Sequence, residues 1–212
     1  MKQYQTFFEQ SHEDSFQLKD GKGVVMISAP HSVEQTRRGV IKYAEPQTGI
    51  LALLLHDELG CPVIYKTKNC HDDANFDAKS IYKEALVKYI KEHKILFLLD
   101  LHQLSPTRQA SVNLGIANFR NMDSSKCLSV FIEEFSRQSI GRIQVDSPYG
   151  AFSPYTIASY IRHRNKIQTV QIEINSKLLY GDFSESNFCR VYIALKNIIL
   201  RLQQMLGDHY EK

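Results

Sequence analysis

Val24-Val25-Met26-Ile27-Ser28-Ala29-Pro30-His31-Ser32-Val33-Glu34 begins as an apolar run, ends at a proline, and passes at once into a His-x-x-Glu pair. A short apolar run closed by a turn residue reads as a buried strand. Two further runs end alike. Ile95-Leu96-Phe97-Leu98-Leu99 leads into Asp100-Leu101-His102, and Thr169-Val170-Gln171-Ile172 leads into Glu173. Working outward, Pro62–Thr67 and Ser111–Phe119 add strand candidates. Helical patterns cover Glu45–Leu59 with Gly60 as its stop, Asp77–His93, Asp123–Gln138, Pro154–Arg164 and Ser186–Leu206. This alternation predicts a three-layer α/β sandwich around a mixed, mostly parallel central sheet. In such sheets ligands bind outside the carboxyl ends of the strands, where His31, His102 and Glu173 all fall.

The 212 residues, 43% of them hydrophobic, suffice for one sizeable core, so a single domain spanning 1–212 is expected, with residues 1–22 as a hairpin or extension. The net charge of +3 is close to balance. Basic residues cluster only at Arg37-Arg38 and at Arg162, His163, Arg164 and Lys166, without a long aromatic interleaving, which argues against nucleic-acid binding. The amino terminus lacks a basic start followed by an apolar stretch, and no run approaches a membrane span. Cys61, Cys70, Cys127 and Cys189 are scattered with no C-x-x-C pair, against a disulfide framework or structural zinc. These features predict a cytoplasmic protein with a small-molecule or peptide-like substrate and no membrane partner. The residues carry no signal of oligomeric state.

Three strand ends thus deliver His, Glu, His and Glu, the inventory of a catalytic zinc site with a general base. Taken singly, each has a plainer reading. His31-x-x-Glu34 also describes an ordinary loop with Glu34 solvated, and His102 a buried, hydrogen-bonded histidine. Asp100, one residue removed from His102, can orient a ligand histidine or, by alternation, face away. Glu173 shares one strand face with Thr169, Gln171 and Asn175, and a carboxylate there is costly unless it is paired or faces a polar cavity.

Ala29-Pro30-His31-Ser32, Asp73-Ala74-Asn75, Leu101-His102-Gln103-Leu104-Ser105-Pro106 and Ile172-Glu173-Ile174-Asn175-Ser176-Lys177-Leu178-Leu179 follow one another in an order that resembles the N-formylglutamate amidohydrolase-like family, itself similar to the zinc carboxypeptidases. The similarity spans roughly residues 23–180 as an ordered set of short motifs. It implies a phosphorylase/hydrolase-like sandwich with one zinc, or another divalent metal, held by His31 and His102, and Glu173 as general base. For the acidic ligand it offers Glu34, in the carboxypeptidase-like spacing, or Glu45, where amidohydrolase-like relatives often carry the acid; Glu34 is favoured here. Phe76 stands after Asn75 where the family commonly has an arginine that holds a substrate carboxylate. Asn75 and a substitute among Arg37, Arg38, Arg108, Arg162 and Arg164 are therefore the expected substrate contacts. The implied activity is hydrolysis of a small N-acyl amino acid or peptide-like amide; the alternatives are a carboxypeptidase-like peptidase or an inactive binding module on the same fold.

Overall fold

Four parallel strands form the heart of the molecule, and they are the segments richest in buried aliphatic side chains. In the computed structural model, which describes residues 2–10, 12–180 and 187–207, the chain runs α1 (Lys2–Glu9), β1 (Phe16–Lys19), β2 (Val25–Ala29), β3 (Gln35–Arg37), β4 (Val40–Lys42), α2 (Pro46–Leu59), β5 (Val63–Lys66) and α3 (Ile81–Glu92). It continues through β6 (Phe97–Leu104), β7 (Val112–Gly115), α4 (Ser125–Arg137), β8 (Ile143–Val145), α5 (Ile157–Asn165), β9 (Gln168–Asn175) and α6 (Asn187–Gly207). The seven-stranded sheet has the order β1-β5-β2-β6-β9-β7-β8, while β3 and β4 form a separate two-stranded hairpin. Strands β5, β2, β6 and β9 are mutually parallel; β1 and β7 run antiparallel to β5 and β9. The expected three-layer sandwich with a mostly parallel sheet is the fold observed.

Alternation of side chains along each strand sets the two faces. Val25 and Ile27, Phe97 and Leu99, and Val170 and Ile172 point to one side, where α2, α4 and α6 cover them with Leu51, Phe131 and Ile198 among others. On the opposite side Met26, Leu98 and Ile64 pack under α3 and α5 through Tyr82, Leu86, Ile157 and Ile161. This second face changes character along its length. Two residues beyond Met26 comes Ser28; beyond Leu98 come Asp100 and His102; beyond Thr169 come Gln171 and Glu173, all buried. Its lower half is thus apolar and roofed by helices, and its upper half is polar and forms the floor of a cleft.

Several boundaries differ from the sequence reading. Where a hairpin or extension is expected, the described residues before 23 include α1 and the edge strand β1, with Phe7 and Phe8 packed against Tyr65 and Phe16 against Tyr82. Helix α3 begins at Ile81, since residues 73–80 are drawn into a loop in which Asp77 Oδ2 accepts the Asp73 amide at 2.8 Å. Strand β6 continues through His102 to Leu104, held by register with β9. The β3–β4 hairpin and β8 are three-residue strands too short to show a period. The terminal helix is described from Asn187; Ser186 lies outside the described residues. Among the described residues no helix is long and apolar enough to cross a membrane.

Candidate metal centre

Strand register assembles the site. His102 on β6 lies directly beside Glu173 on β9, and Glu173 lies directly beside Asn113 on β7. His31 follows β2 by two residues in the turn that ends it. The chain then leaves the sheet, makes the β3–β4 hairpin and returns. The Glu45 amide donates to the His31 carbonyl at 2.7 Å, fastening the two ends of this excursion together. Glu45, immediately before Pro46 at the start of α2, is thereby set beside both histidines.

Three donor groups converge. His31 Nδ1 is 3.2 Å from Glu45 Oε1 and 3.2 Å from His102 Nδ1, and His102 Nδ1 is 3.8 Å from Glu45 Oε2. Ligand atoms of His31, Glu45 and His102 all lie within 4.8 Å of one another. The outer nitrogen of each ring is held by a fully buried carboxylate: His31 Nε2 by Asp73 Oδ1 at 2.9 Å, and His102 Nε2 by Asp100 Oδ2 at 3.0 Å. Those partners assign the ring hydrogens to Nε2, because a carboxylate can only accept. The two Nδ1 atoms then face each other and the Glu45 carboxylate, an arrangement that repels unless a proton or a metal ion stands among them.

Charge points the same way. Burial alone would lower the His31 pKa, but Glu45 and Asp73 outweigh it and raise the ring to about 10. Burial likewise opposes protonation of His102, and Asp100 reverses the balance. For Asp73, burial is overcome by His31 and Arg37, which hold its carboxyl well below the usual carboxylate range. Without a metal, the extra proton that these carboxylates draw onto the His31–His102 pair thus balances them. A divalent ion would satisfy the same groups, and two imidazole nitrogens with one carboxylate suit zinc with a position left open. Carboxylates behind both histidines would fix their orientation and raise their basicity.

The remaining residues form the cleft wall. Glu173 is buried, which pushes its carboxyl up to about 7 against the pull of His102, and Oε1 accepts from Gln171 Nε2 at 2.9 Å. Gln171 Oε1 lies 3.4 Å from Asn75 Nδ2, while Asn75 Oδ1 accepts the amide of Ile157 at the start of α5 at 2.8 Å. Opposite lie Tyr149 and Phe152 from the segment between β8 and α5. That segment passes close over β7, where a Cβ on Gly115 would stand 2.9 Å from the Tyr149 carbonyl oxygen; only glycine lets the wall sit so near. The cleft encloses about 570 Å³.

The structure groups Glu45, not Glu34, with the histidines. Glu34 is exposed and lines a different hollow beside Phe8 and Gln47. The physical reason is the excursion itself: the chain turns outward after Ser32, so position 34 points away while position 45 returns. Of the candidate substrate contacts, Asn75 and Arg37 line the cleft, and Arg37 Nε and Nη2 each lie 2.8 Å from Asp73 Oδ2. Arg38 stands off the cleft, stacked on Phe76. Arg108 lies over the Tyr149 ring with Nη2 3.5 Å from its hydroxyl, Arg162 is bound to Asp123 and to the carbonyls of Arg120 and Ile167 in a neighbouring hollow, and Arg164 lies over the Tyr160 ring in that same hollow, off the cleft. Gln171 was not among the expected site residues, although strand alternation put it on the Glu173 face. Tyr149 and Phe152 carried no signal, lying in an irregular Pro-Tyr-Gly segment.

Removing the support behind a histidine tests this arrangement. Asp100→Asn is expected to weaken zinc binding by about 10–100-fold while leaving the fold intact. Competition against a chelating dye reads it directly, and an unchanged affinity would show that Asp100 has no part in metal binding.

Fold and site together define a three-layer α/β sandwich with a His/Glu/His cluster at the carboxyl ends of its parallel strands. Among solved structures, an N-formylglutamate amidohydrolase from Ralstonia eutropha JMP134 superposes with a TM-score of 0.63 at 13% identity, covering 92% of this chain and 99% of the other. A bacteriophage poly-γ-glutamate hydrolase gives 0.59 at 13% identity, over 93% and 94% of the two chains. A metallo-carboxypeptidase from Burkholderia cenocepacia gives 0.55 at 13% identity, over 97% and 69%. At these identities the relation is one of fold. No family model and no curated protein sequence matches the chain.

Proposed function

We propose that this protein is a zinc-dependent amidohydrolase that cleaves the amide of a small N-acyl amino acid or a peptide-like substrate. The observation that carries the reading is the convergence of His31 Nδ1, His102 Nδ1 and the Glu45 carboxylate, backed by Asp73 and Asp100, beside the buried Glu173. His31, Glu45 and His102 would hold the ion; once bound, zinc makes a water acidic near neutral pH and polarises a carbonyl. Glu173 takes a proton from the attacking water and delivers it to the leaving nitrogen, so that a C–O bond forms, the C–N bond breaks, and a carboxylic acid and an amine result, the acid's proton passing on to leave a carboxylate and an ammonium. A carboxyl whose pKa lies near the working pH suits both transfers.

Substrate placement falls to Asn75 and Arg37. Phe76, at the position where the resembling family carries arginine, supports two guanidinium groups brought in by the hairpin: Arg37 and Arg38 lie 4.9 Å and 5.0 Å from its ring centroid. Arg37, the one of the pair that lines the cleft, takes the substrate carboxylate in this reading. The amide-cleaving names of the fold relatives from Ralstonia eutropha and the bacteriophage support an amide substrate.

The test is hydrolysis of a panel of N-formyl and N-acetyl amino acids beside unblocked dipeptides, on protein as purified, after chelation and after zinc return. The expected result is turnover of acylated amino acids that disappears with the metal and returns with it. Preference for dipeptides would move the assignment to a carboxypeptidase-like peptidase. Protein that takes up no zinc and cleaves nothing would overturn it.

A further inference from the structure

A hollow of about 720 Å³ lies directly beside the metal cleft, and Phe152 lines both. Its walls come from α5 and from the segments before and after it, with Arg120 from the turn after β7. Segments remote in sequence thus bring Arg120, Arg162, His163, Arg164 and Lys166 to one place, and no carboxylate is among its lining residues. Arg162 is spent on Asp123 and on backbone carbonyls, and shapes the wall. Among the described residues no carboxylate lies within ion-pair distance of Arg120, Arg164 or Lys166. Unpaired cations around a concave surface favour an anionic occupant.

The aromatic rings narrow the choice of anion. Arg120 lies over Phe152 at 5.7 Å, while Lys83 and Arg164 lie over Tyr160 at 4.9 Å and 5.3 Å. The Phe152 and Tyr160 faces already carry the protein's own cations and leave Tyr155 as the one open phenol of this wall, whereas single-stranded nucleic acids are held by a succession of open aromatic faces on which bases stack. What the hollow offers is guanidinium and ammonium hydrogens, which match carboxylates and phosphates alike; continuity with a cleft read as holding a peptide-like amide favours the carboxylates. Its junction with the metal cleft sets what must be continuous with that anion.

We propose that this hollow is a substrate subsite for an acidic peptide chain whose reacting amide lies in the metal cleft, with Arg120, Arg164 and Lys166 receiving side-chain carboxylates beyond Phe152. The assignment of the chain as substrate rests on the amidohydrolase reading; the binding of an acidic chain does not.

Fluorescence anisotropy with a labelled tetra-glutamate peptide tests it, with tetra-glutamine of equal length as the neutral control, on zinc-loaded and chelated protein. The acidic peptide should bind at least about tenfold tighter than the neutral one, and raising salt from about 0.05 to about 0.5 M should remove most of that difference. Arg120→Ala combined with Arg164→Ala should cut its affinity by about tenfold. The same variant should leave the KM for an N-acyl single amino acid, and the zinc content, unchanged. Arg164→Glu provides a second variant at an exposed position and should act in the same direction. Binding that persists in chelated protein supports the subsite even if no amide is cleaved. Equal affinity for tetra-glutamate and tetra-glutamine, indifference to both variants, or displacement of the peptide by a tighter-binding single-stranded oligonucleotide overturns it, and none of these touches turnover of small acylated amino acids.

Discussion

If the protein is the proposed zinc amidohydrolase, Glu173→Gln is expected to lower amide turnover by about 10²–10⁴-fold while leaving the fold and zinc uptake intact. The substitution keeps the shape of the side chain and removes its ability to accept a proton from water. It is expected to spare the metal because Glu173 stands outside the cluster formed by His31, Glu45 and His102. It is expected to spare the fold because the buried carboxylate is the costlier occupant: burial already pushes Glu173 up to about 7, and a neutral amide carries no charge to desolvate. The loss should fall on kcat, with KM little changed, since proton transfer is confined to the chemical step. Turnover within a fewfold of wild type would mean that another group acts as the base.

The second large effect separates two glutamates eleven residues apart in the chain. Glu45→Gln should abolish zinc retention through purification, whereas Glu34→Gln should hold zinc as well as wild type does. The amide at position 45 can still accept the Gln103 N–H bond, which measures 2.8 Å to Glu45 Oε2, so local backbone structure is preserved and the lost charge is what is measured. A metal ligand should matter more than the roughly 10–100-fold attached to outer partners such as Asp100. Metal analysis of the two variants beside wild type decides it. Loss of zinc in Glu34→Gln with retention in Glu45→Gln would reverse the assignment.

Much of the frame was legible because it obeys simple periodicities. The runs ending at Pro30, Leu99 and Ile172 are strands since they sit in the middle of a sheet with both faces covered, and such strands read as nearly continuous apolar sequence. Gly60 ended α2 as expected, taking the left-handed conformation at φ 67° that closes a helix. The polar half of the second face was written in Ser28, Asp100-x-His102 and Gln171-x-Glu173, where alternation turns spacing into a shared side. Glu45 could not be placed by such reasoning. Its position depends on where a hairpin returns, which is a tertiary event held by the Glu45–His31 backbone bond and by the Arg37–Asp73 ion pair. The hollow beside the cleft escaped for a related reason: Arg120 and Phe152 are 32 residues apart and meet only after the sheet has formed.

The backbone bond between Glu45 and His31 has one more effect. It acts as a clasp at the neck of a loop: both residues of the chemistry sit at the neck, and the hairpin tip, with Val40, Ile41 and Tyr43 turned to solvent, lies beyond it. Length and composition at the tip, beyond Arg37 and its ion pair with Asp73, can therefore drift without moving either side chain. The number of residues between His31 and Glu45 is therefore not fixed by the geometry the two share. The tip becomes the natural place to graft new sequence, because residues placed there leave the cluster where it stands.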